Sequence, residues 1–388
     1  MTDLNRNNQG KSGGIPAALF VMTIIKLLPD HADKILESPY AEDYYAWRIR
    51  MEATLTKPIV SESTEQIHKK IFAIASGKGG TGKSTVAINF SLALAALGHR
   101  VVLVDADLGG ADLNVLLNIL QPKHSLKDYL DHAVENIDEI LQTTPTANFK
   151  VLLNGSDIIS LSNPNWNDKV RMIKGIQSLN ADYVVVDLGP DIAYNNLDFF
   201  NMAPNGYLIT QNVDTMVMGF YRFLKAAFTR RVRFHYRRFP EVEDLIDECR
   251  DQEWLKGRFN VVSHIRSLGP EYSDMLDSLL EQYHPALIFN KVNGRAAHST
   301  AERICEFVRR NYGFKLRLGG FIPEDKHVEN AYEMNLPFVL KYPHCEASEA
   351  LFEVLRLSQL NRTSSGQVIT KYAAFTPFLR READKWGL

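Results

Sequence analysis

A glycine-rich loop between residues 77 and 84 constrains this chain more than any other part of its sequence. An apolar run, Ile71–Ala75, precedes the loop, and a segment of helical character, Ser84–Leu97, follows it. The loop reads Gly-Lys-Gly-Gly-Thr-Gly-Lys-Ser and fits the pattern GxxxxGK[ST] between a strand and a helix. Glycines let successive backbone N–H groups point inwards, and the helix adds the positive end of its dipole. The sequence therefore predicts a phosphate-binding loop.

Each residue of this loop has its own expected contact with a nucleotide. Lys83 is expected to contact the β- and γ-phosphates and to act in catalysis, Ser84 to bind Mg²⁺, and Thr85 to hold the α-phosphate. These contacts predict a bound nucleotide phosphate together with Mg²⁺. The backbone predicted to wrap the phosphates belongs to Gly77, Gly79, Gly80, Thr81 and Gly82.

Short apolar runs recur along the chain, and helical patterns separate most of them. This alternation is typical of a parallel sheet that is covered on both faces. We predict an α/β fold of the P-loop NTPase type, with a doubly wound, mostly parallel sheet and helices on both faces. The predicted strands are Ile71–Ala75, Val101–Val104, Phe149–Leu153, Tyr183–Val186, Gly206–Thr210, Ala286–Phe289 and Leu316–Ile322.

The alternating pattern divides the chain into three parts. Residues 1–69 are predicted to be an N-terminal extension with a polar, disordered start, then helices and a linker. Residues 70–359 are predicted to be the ATPase domain, in which residues 229–285 interrupt the alternation as an insertion. Residues 360–388 are predicted to be a C-terminal tail, because the strand pattern ends before them.

Composition excludes several classes of protein. The formal net charge of −2 provides no overall attraction to nucleic acid or to an anionic membrane. The three cysteines lie far apart and never in CxxC spacing, which argues against a zinc knuckle or a redox dithiol and fits a reducing cytosol. No signal peptide is apparent, and the apolar stretch Ile15–Leu28 is too short to span a bilayer. We expect a cytoplasmic protein.

The lysine directly after the first glycine, Lys78, is not required in a generic phosphate-binding loop. With it, the loop resembles the deviant Walker A motif of the MinD/ParA family of P-loop ATPases, the CobQ/CobB/MinD/ParA nucleotide-binding domain. The resemblance implies that Lys78 reaches across a homodimer to the partner's nucleotide, so that slow hydrolysis depends on the ATP-bound dimer. Carried over, Lys78 is a catalytic residue that acts like an arginine finger.

Carboxylates follow two of the predicted strands. Asp105 and Asp107 end the second strand, and the carboxyl ends of strands face the ligand site in a doubly wound fold. Asp187 ends a later apolar strand and is followed by Gly189. The family resemblance implies that Asp107 orients or activates the attacking water and that Asp105 supports the Mg²⁺ shell. It also implies that Asp187 holds Mg²⁺ through a water, as in a Walker B strand, and that Gly189 allows close approach to the γ-phosphate.

Two later segments extend the resemblance to a base pocket. Asn290 stands at the end of a late strand, where the family uses an asparagine to recognise adenine, although a turn-forming asparagine is an alternative. Pro323 and Asp325 fit the family's IPxD loop, whose backbone lines the base pocket. Taken together, the motifs look closest to the MinD and FlhG (FleN) branch.

Three functions are compatible with such a protein. The first is a spatial regulator that places or counts a flagellum, a division site or a similar structure, with an unidentified activator or cargo. The second is a DNA partition ATPase, and a third, a metal-cluster carrier, is disfavoured because closely spaced cysteines are lacking.

A basic run at residues 230–238 bears on the DNA alternative. This run could track phosphates or form a partner surface, and we predict at most weak, salt-sensitive DNA binding. Its arginines are Arg230, Arg231, Arg233, Arg237 and Arg238.

The C-terminal tail raises the question of membrane binding. Aromatic and basic residues from Tyr372 to Leu388 suit a membrane interface, and Pro377 could open a helix there. Glu382 and Asp384 oppose attraction to anionic lipid. A tail packed on its own domain or on a neighbour is the alternative, so a peripheral position at the membrane or cell pole stays open.

Overall fold

The computed structural model describes residues 70–108, 112–119, 124–154, 164–203, 205–251 and 261–388, so the predicted N-terminal extension lies outside the described residues. Eight strands form one sheet in the order β3-β4-β2-β5-β1-β6-β7-β8, and every neighbouring pair is parallel except β3 with β4. The strands are β1 (Lys70–Ala75), β2 (Val101–Ala106), β3 (Gln142–Thr143), β4 (Phe149–Leu152), β5 (Tyr183–Leu188), β6 (Tyr207–Thr210), β7 (Ala286–Val292) and β8 (Arg317–Pro323).

This sheet confirms the predicted fold class, and each of the seven apolar runs forms a strand. The eighth strand, β3, has only two polar residues and pairs antiparallel at the edge, so no hydrophobic pattern marked it. The central strands are predominantly apolar because both of their faces are covered. In β2, all six residues are buried.

Fourteen α-helices accompany the sheet in the described part of the chain. They are α1 (Lys83–Ala96), α2 (Asp112–Leu116), α3 (Leu126–Leu130), α4 (Trp166–Ser178), α5 (Tyr194–Asn201), α6 (Asp214–His235), α7 (Pro240–Asp251), α8 (Val261–Ser267), α9 (Pro270–Glu281), α10 (Ala296–Tyr312), α11 (Lys326–Glu333), α12 (Phe338–Lys341), α13 (Glu346–Leu357) and α14 (Tyr372–Lys385).

The sheet separates two hydrophobic cores. Successive residues of a strand point to opposite faces, so in β1 Phe72 and Ile74 join one core while Ala73 and Ala75 join the other. The first core contains α1, α12, α13 and α14, and the second contains α4, α5, α6 and α10. The connection from β1 to α1 leaves the carboxyl end of β1, which lies between β5 and β6 in the sheet.

The predicted insertion starts later than the sequence suggested. The helix α6 runs unbroken from Asp214 to His235, and its apolar face is buried against the sheet, so the boundary at residue 229 falls inside a core helix. The basic run begins in the last turns of this helix, and its last two arginines, Arg237 and Arg238, lie in the turn that follows His235. The extra helices begin only at Pro240, with α7, α8 and α9.

The C-terminal tail is part of the domain. In α14, Phe375 and Leu379 are fully buried in the core that contains α1 and α12, and the indole N–H of Trp386 donates to Thr146 Oγ1 at 3.0 Å. Pro377 lies inside this helix rather than at its start. The apolar face of a docked α14 is thus not available to lipid. Within the described ranges, no helix combines the length and apolarity that crossing a bilayer requires.

Candidate functional site

The glycine-rich loop joins β1 to α1 and lies against the start of α6. A Cβ on Gly77 would lie 1.8 Å from the carbonyl oxygen of Gly219, so both residues must be glycine for the two backbones to approach this closely. Gly80 and Gly82 have φ values of 80° and 86°, in the left-handed region that favours glycine. The loop conformation therefore depends on glycines from two separate elements.

Three side chains hold the carbonyl groups of the loop. Gln211, after β6, donates to the Gly80 carbonyl at 2.9 Å, and Asn290, in β7, donates to the Thr81 carbonyl at 2.8 Å. Ser76 Oγ donates to the Lys78 carbonyl at 2.9 Å. With its carbonyls fixed in this way, the loop keeps one backbone shape, which is what a cradle of N–H groups for phosphate requires.

Lys83 and the carboxylates meet at the start of α1. Lys83 Nζ lies 2.8 Å from Asp187 Oδ1 and 3.2 Å from Ser84 Oγ, and the Lys83 and Asp187 side chains are 6% and 1% exposed. Asp187 Oδ2 is buried and has no hydrogen-bond partner among the described residues. An unpartnered buried carboxylate oxygen beside a serine hydroxyl is a donor set that suits Mg²⁺ and its waters. These residues therefore fit a Mg²⁺-nucleotide.

Asp105 lies beside Asp187, since β2 and β5 are paired in register at these two residues. Asp105 is 2% exposed. Burial, followed by the nearby Asp187 carboxylate, raises the pKa of Asp105 well above its ordinary value. Two buried carboxylates so close together call for a positive charge, which Lys83 supplies in part and which Mg²⁺ would supply further.

Asp107 lies between the ends of β2 and β5. Its backbone N–H donates to Asp105 Oδ1 at 3.2 Å, and its carbonyl accepts from Asn154 Nδ2 at 2.9 Å. A Cβ on Gly189 would lie 3.2 Å from Asp107 Oδ1 and 2.8 Å from Asn196 Nδ2, so both side chains approach the glycine after the Asp187 strand. Asn196 Oδ1 accepts from the Gly189 N–H at 3.2 Å. The sequence did not single out Asn154 or Asn196 as site residues.

Comparison with protein families agrees with this geometry. The family described as the CobQ/CobB/MinD/ParA nucleotide binding domain matches residues 72–338, which is most of the chain. The chain belongs to this family.

Relatives of this chain include an antiactivator and a flagellum site-determining protein. The antiactivator FleN of Pseudomonas aeruginosa is 32% identical over 157 residues, which cover 40% of this chain and 55% of FleN. The flagellum site-determining protein YlxH of Helicobacter pylori is 30% identical over 162 residues, which cover 40% of this chain and 53% of YlxH. The aligned part thus spans about half of each of these two relatives.

Solved structures show the same fold. The cell division ATPase MinD of Pyrococcus furiosus superposes with a TM-score of 0.50 at 19% identity, covering 75% of this chain and 98% of that one. At this identity the likeness concerns the fold, which is the MinD/ParA arrangement of a mostly parallel sheet with helices on both faces.

The two lysines of the MinD/ParA-type loop differ sharply in environment. Lys83 is buried beside Asp187, whereas Lys78 is exposed at the outer side of the loop. The exposed position leaves the Lys78 ammonium group accessible to another molecule, while Lys83 is confined to its own site.

The residues predicted to form the base pocket have other contacts. Asn290 is 7% exposed and uses an amide hydrogen on the Thr81 carbonyl, so adenine recognition by Asn290 stays a prediction. Asp325 caps α11 by accepting from the His327 N–H at 2.9 Å, and its other oxygen accepts from the Ala347 N–H at 3.2 Å. Both oxygens of the Asp325 carboxylate thus accept hydrogen bonds from the backbone of the same chain. Any base contact at Pro323 and Asp325 would come from the backbone that follows β8.

The basic run does not form an open stripe of arginines. Arg230 pairs with the buried carboxylate of Asp198, and Arg233 pairs with Glu243 and Asp247 of α7. Arg231 donates to the Asn201 carbonyl, and Arg237 donates to the Phe234 carbonyl while stacking on its ring. These arginines thus bind groups of their own chain. Weak DNA binding stays a prediction.

Replacing Gly219 by alanine is expected to weaken ATP binding by about tenfold or more, since misplacing the loop by a fraction of an ångström disrupts its contacts. Alanine is favoured over glycine inside a helix by about 1 kcal/mol. The new Cβ, however, would lie 2.8 Å from the Gly77 carbonyl oxygen, which is backbone and cannot rotate away. Titration with a fluorescent ATP analogue measures the effect.

The matched control for Gly219→Ala is Gly175→Ala in α4. There the added Cβ meets only side-chain atoms of Ile137 and Tyr129, far along the chain from the loop. We expect Gly175→Ala to leave ATP affinity unchanged. Equal affinities for both variants would show that contact between α6 and the loop does not shape the nucleotide site.

Proposed function

We propose that this protein is an ATP-binding and ATP-hydrolysing switch whose active form is a homodimer. The observation that carries the proposal is the contrast between the exposed Lys78 and the buried Lys83 of one loop. A lysine on the outer side of the loop is suited to reach a nucleotide held by a second copy. Hydrolysis is then slow in the monomer and faster once two ATP-bound chains meet.

In the proposed reaction, Lys83 binds the β- and γ-phosphates, and the loop N–H groups hold the remaining phosphate oxygens. Ser84, Asp105 and Asp187 hold Mg²⁺, which neutralises charge on the phosphate oxygens when it is bound. Asp107 orients a water towards the γ-phosphorus. The water oxygen bonds to that phosphorus while the bond to the β–γ bridging oxygen breaks, giving ADP and phosphate. Lys78 of the second copy stabilises the charge on the transferring group.

The proposed cellular role is to control the position or number of a cellular structure. Support comes from the names of the relatives: an antiactivator, a flagellum site-determining protein and a septum site-determining protein of Oltmannsiellopsis viridis that is 31% identical over 146 residues. In this proposal the ATP-bound dimer binds a cargo or activator protein, and hydrolysis releases it.

Mixing two inactive variants tests the proposed action of Lys78 across the dimer. Lys78→Ala and Asp107→Ala should each bind ATP, and each should lose most hydrolysis when measured alone. In a mixed dimer, the Lys78→Ala chain keeps its own Asp107 and receives Lys78 from the other chain. An equimolar mixture should therefore recover about a quarter of the wild-type rate, because half of the dimers are mixed and one of their two sites is complete.

Phosphate release at several protein concentrations provides the readout, and size-exclusion chromatography of Asp107→Ala with ATP should show a trapped dimer. Lys174→Ala, at an exposed lysine of α4, is the matched control and should hydrolyse ATP as the wild type does. A mixture that remains inactive, or a Lys78→Ala chain that hydrolyses ATP normally by itself, contradicts the proposed role of Lys78.

A further inference from the structure

Asn154 binds the backbone carbonyl group of Asp107. It lies two residues after the end of β4, and its Nδ2 donates to the Asp107 carbonyl at 2.9 Å. On the other side of the same residue, the Asp107 N–H donates to Asp105 Oδ1. The backbone of Asp107 is therefore fixed at both its N–H and its C=O, by side chains from two neighbouring strand ends.

The second polar atom of Asn154 has an unusual environment. Asn154 is 3% exposed, and its Oδ1 is buried without a hydrogen-bond partner among the residues the structure describes. A buried acceptor without a partner destabilises a fold, and an apolar side chain of similar shape would avoid that cost. Stability alone thus does not account for an asparagine at this place, whereas the hydrogen bond that it donates to the Asp107 carbonyl does.

The position of Asp107 matters because its carboxylate lies at the junction of two strand ends. The Asp107 carboxylate and the Asn196 amide both approach the space above Gly189, where a Cβ would meet them at 3.2 and 2.8 Å. The hydrogen bond from Asn154 anchors the Asp107 carbonyl and so opposes backbone movement that would carry the carboxylate away from this space.

We propose that Asn154 is a positioning residue for hydrolysis, which acts by holding Asp107 in the orientation needed to direct the attacking water. This inference rests on the proposed function, in which Asp107 performs that role. Asn154 contributes through Asp107 and has no part in holding the nucleotide, so its loss should slow turnover without weakening ATP binding.

The test replaces Asn154 by leucine, which is similar in shape and has no polar atoms, and by aspartate, which keeps the shape but cannot donate when ionised. We expect kcat to fall by about 10- to 100-fold in both variants, because a small misplacement of a catalytic group has an effect of this size. The Kd for a non-hydrolysable ATP analogue should stay within about twofold of the wild type. The melting temperature of Asn154→Leu should stay close to that of the wild type, since removing a buried unpaired oxygen offsets the loss of the hydrogen bond to the Asp107 carbonyl.

Asn148, at the other end of β4, provides the matched control. Its Nδ2 donates to the carbonyls of Ala95 and His99 at 2.8 and 2.5 Å, so it is an asparagine with a purely structural task. Asn148→Leu should lower the melting temperature and leave kcat unchanged. Amide hydrogen exchange of residues 105–108 in the nucleotide-free protein should accelerate in Asn154→Leu and remain unchanged in Asn148→Leu.

The outcomes separate this inference from the proposed function. If the wild type hydrolyses ATP and Asn154→Leu does so at the same kcat, or loses kcat together with stability, Asn154 is not a positioning residue. Unchanged exchange at residues 105–108 would overturn the inference in the same way. A wild type that binds ATP without hydrolysing it would remove the proposed function, and the inference would fall with it.

Discussion

Lys83→Ala is expected to weaken ATP binding by more than about 100-fold and to abolish hydrolysis. The ammonium group lies at the start of α1, where the loop N–H groups and the positive end of the helix dipole converge. Its removal takes away the positive charge in the described site that lies beside the expected β- and γ-phosphates, while the Asp187 carboxylate remains to repel them. Isothermal titration calorimetry with Mg²⁺-ATP measures the loss.

A stability effect must be separated from this binding effect. Breaking a buried ion pair by removing one partner costs about 3–5 kcal/mol, so Lys83→Ala also destabilises the fold through the unpaired Asp187. The double variant Lys83→Ala/Asp187→Asn removes that unpaired charge and should recover stability without recovering ATP binding. Lys78→Ala, the same substitution in the same loop, should bind ATP as the wild type does. A folded Lys83→Ala protein with ordinary ATP affinity would show that the phosphates bind elsewhere.

The sequence predicted the sheet well because buried parallel strands have a simple signature. Continuous apolar runs identify them irrespective of their partners, and seven of the eight strands were found in this way. The exception, Gln142–Thr143, is held at the edge by antiparallel pairing with β4 and carries no apolar signal. Local pattern thus predicts central strands, whereas a short edge strand depends on a partner that is distant in sequence.

The site residues also differ in how far the sequence could predict them. Lys83 and Asp187 belong to motifs with fixed local spacing, and the structure brings them to 2.8 Å. Gly219, Asn154 and Asn196 come from elements with no motif of their own, and only the folded structure places them against the loop and the strand ends. Nothing in the sequence near Gly219 or Asn154 distinguishes them from an ordinary helix glycine or loop asparagine.

The pattern of charged residues predicted their location in the fold less well than the apolar pattern predicted the strands. The basic run suggested a surface for nucleic acid or a partner, yet its first arginine, Arg230, is 8% exposed and bound to Asp198. Asp198 lies some thirty residues earlier in the chain, and no sequence pattern indicated that it pairs with Arg230. A run of arginines can therefore be part of a core network, and its function depends on carboxylates from other elements.

Asp198→Ala is expected to destabilise the fold by about 3–5 kcal/mol, because it leaves two buried cations without their partner. Asp198 Oδ2 lies 2.8 Å from Lys169 Nζ and 2.7 Å from an Arg230 guanidinium nitrogen, and all three side chains are at most 11% exposed. Urea unfolding at neutral pH measures the loss. Glu353→Ala, which breaks the exposed Glu353–Arg356 pair of α13, is the matched control and should change stability by less than about 0.5–1 kcal/mol.

The same network predicts how stability depends on pH. Burial opposes ionisation of Asp198, but Arg230 and Lys169 together outweigh it and lower the pKa of this carboxyl below its ordinary value. The contribution of Asp198 is therefore fully present above the unfolded-state pKa and is lost as the pH falls through the lower folded-state pKa. The stability difference between the wild type and Asp198→Asn should shrink on acidification over that range. A difference that is independent of pH, or an Asp198→Ala loss no larger than that of Glu353→Ala, would mean that Arg230 is held by something other than this carboxylate.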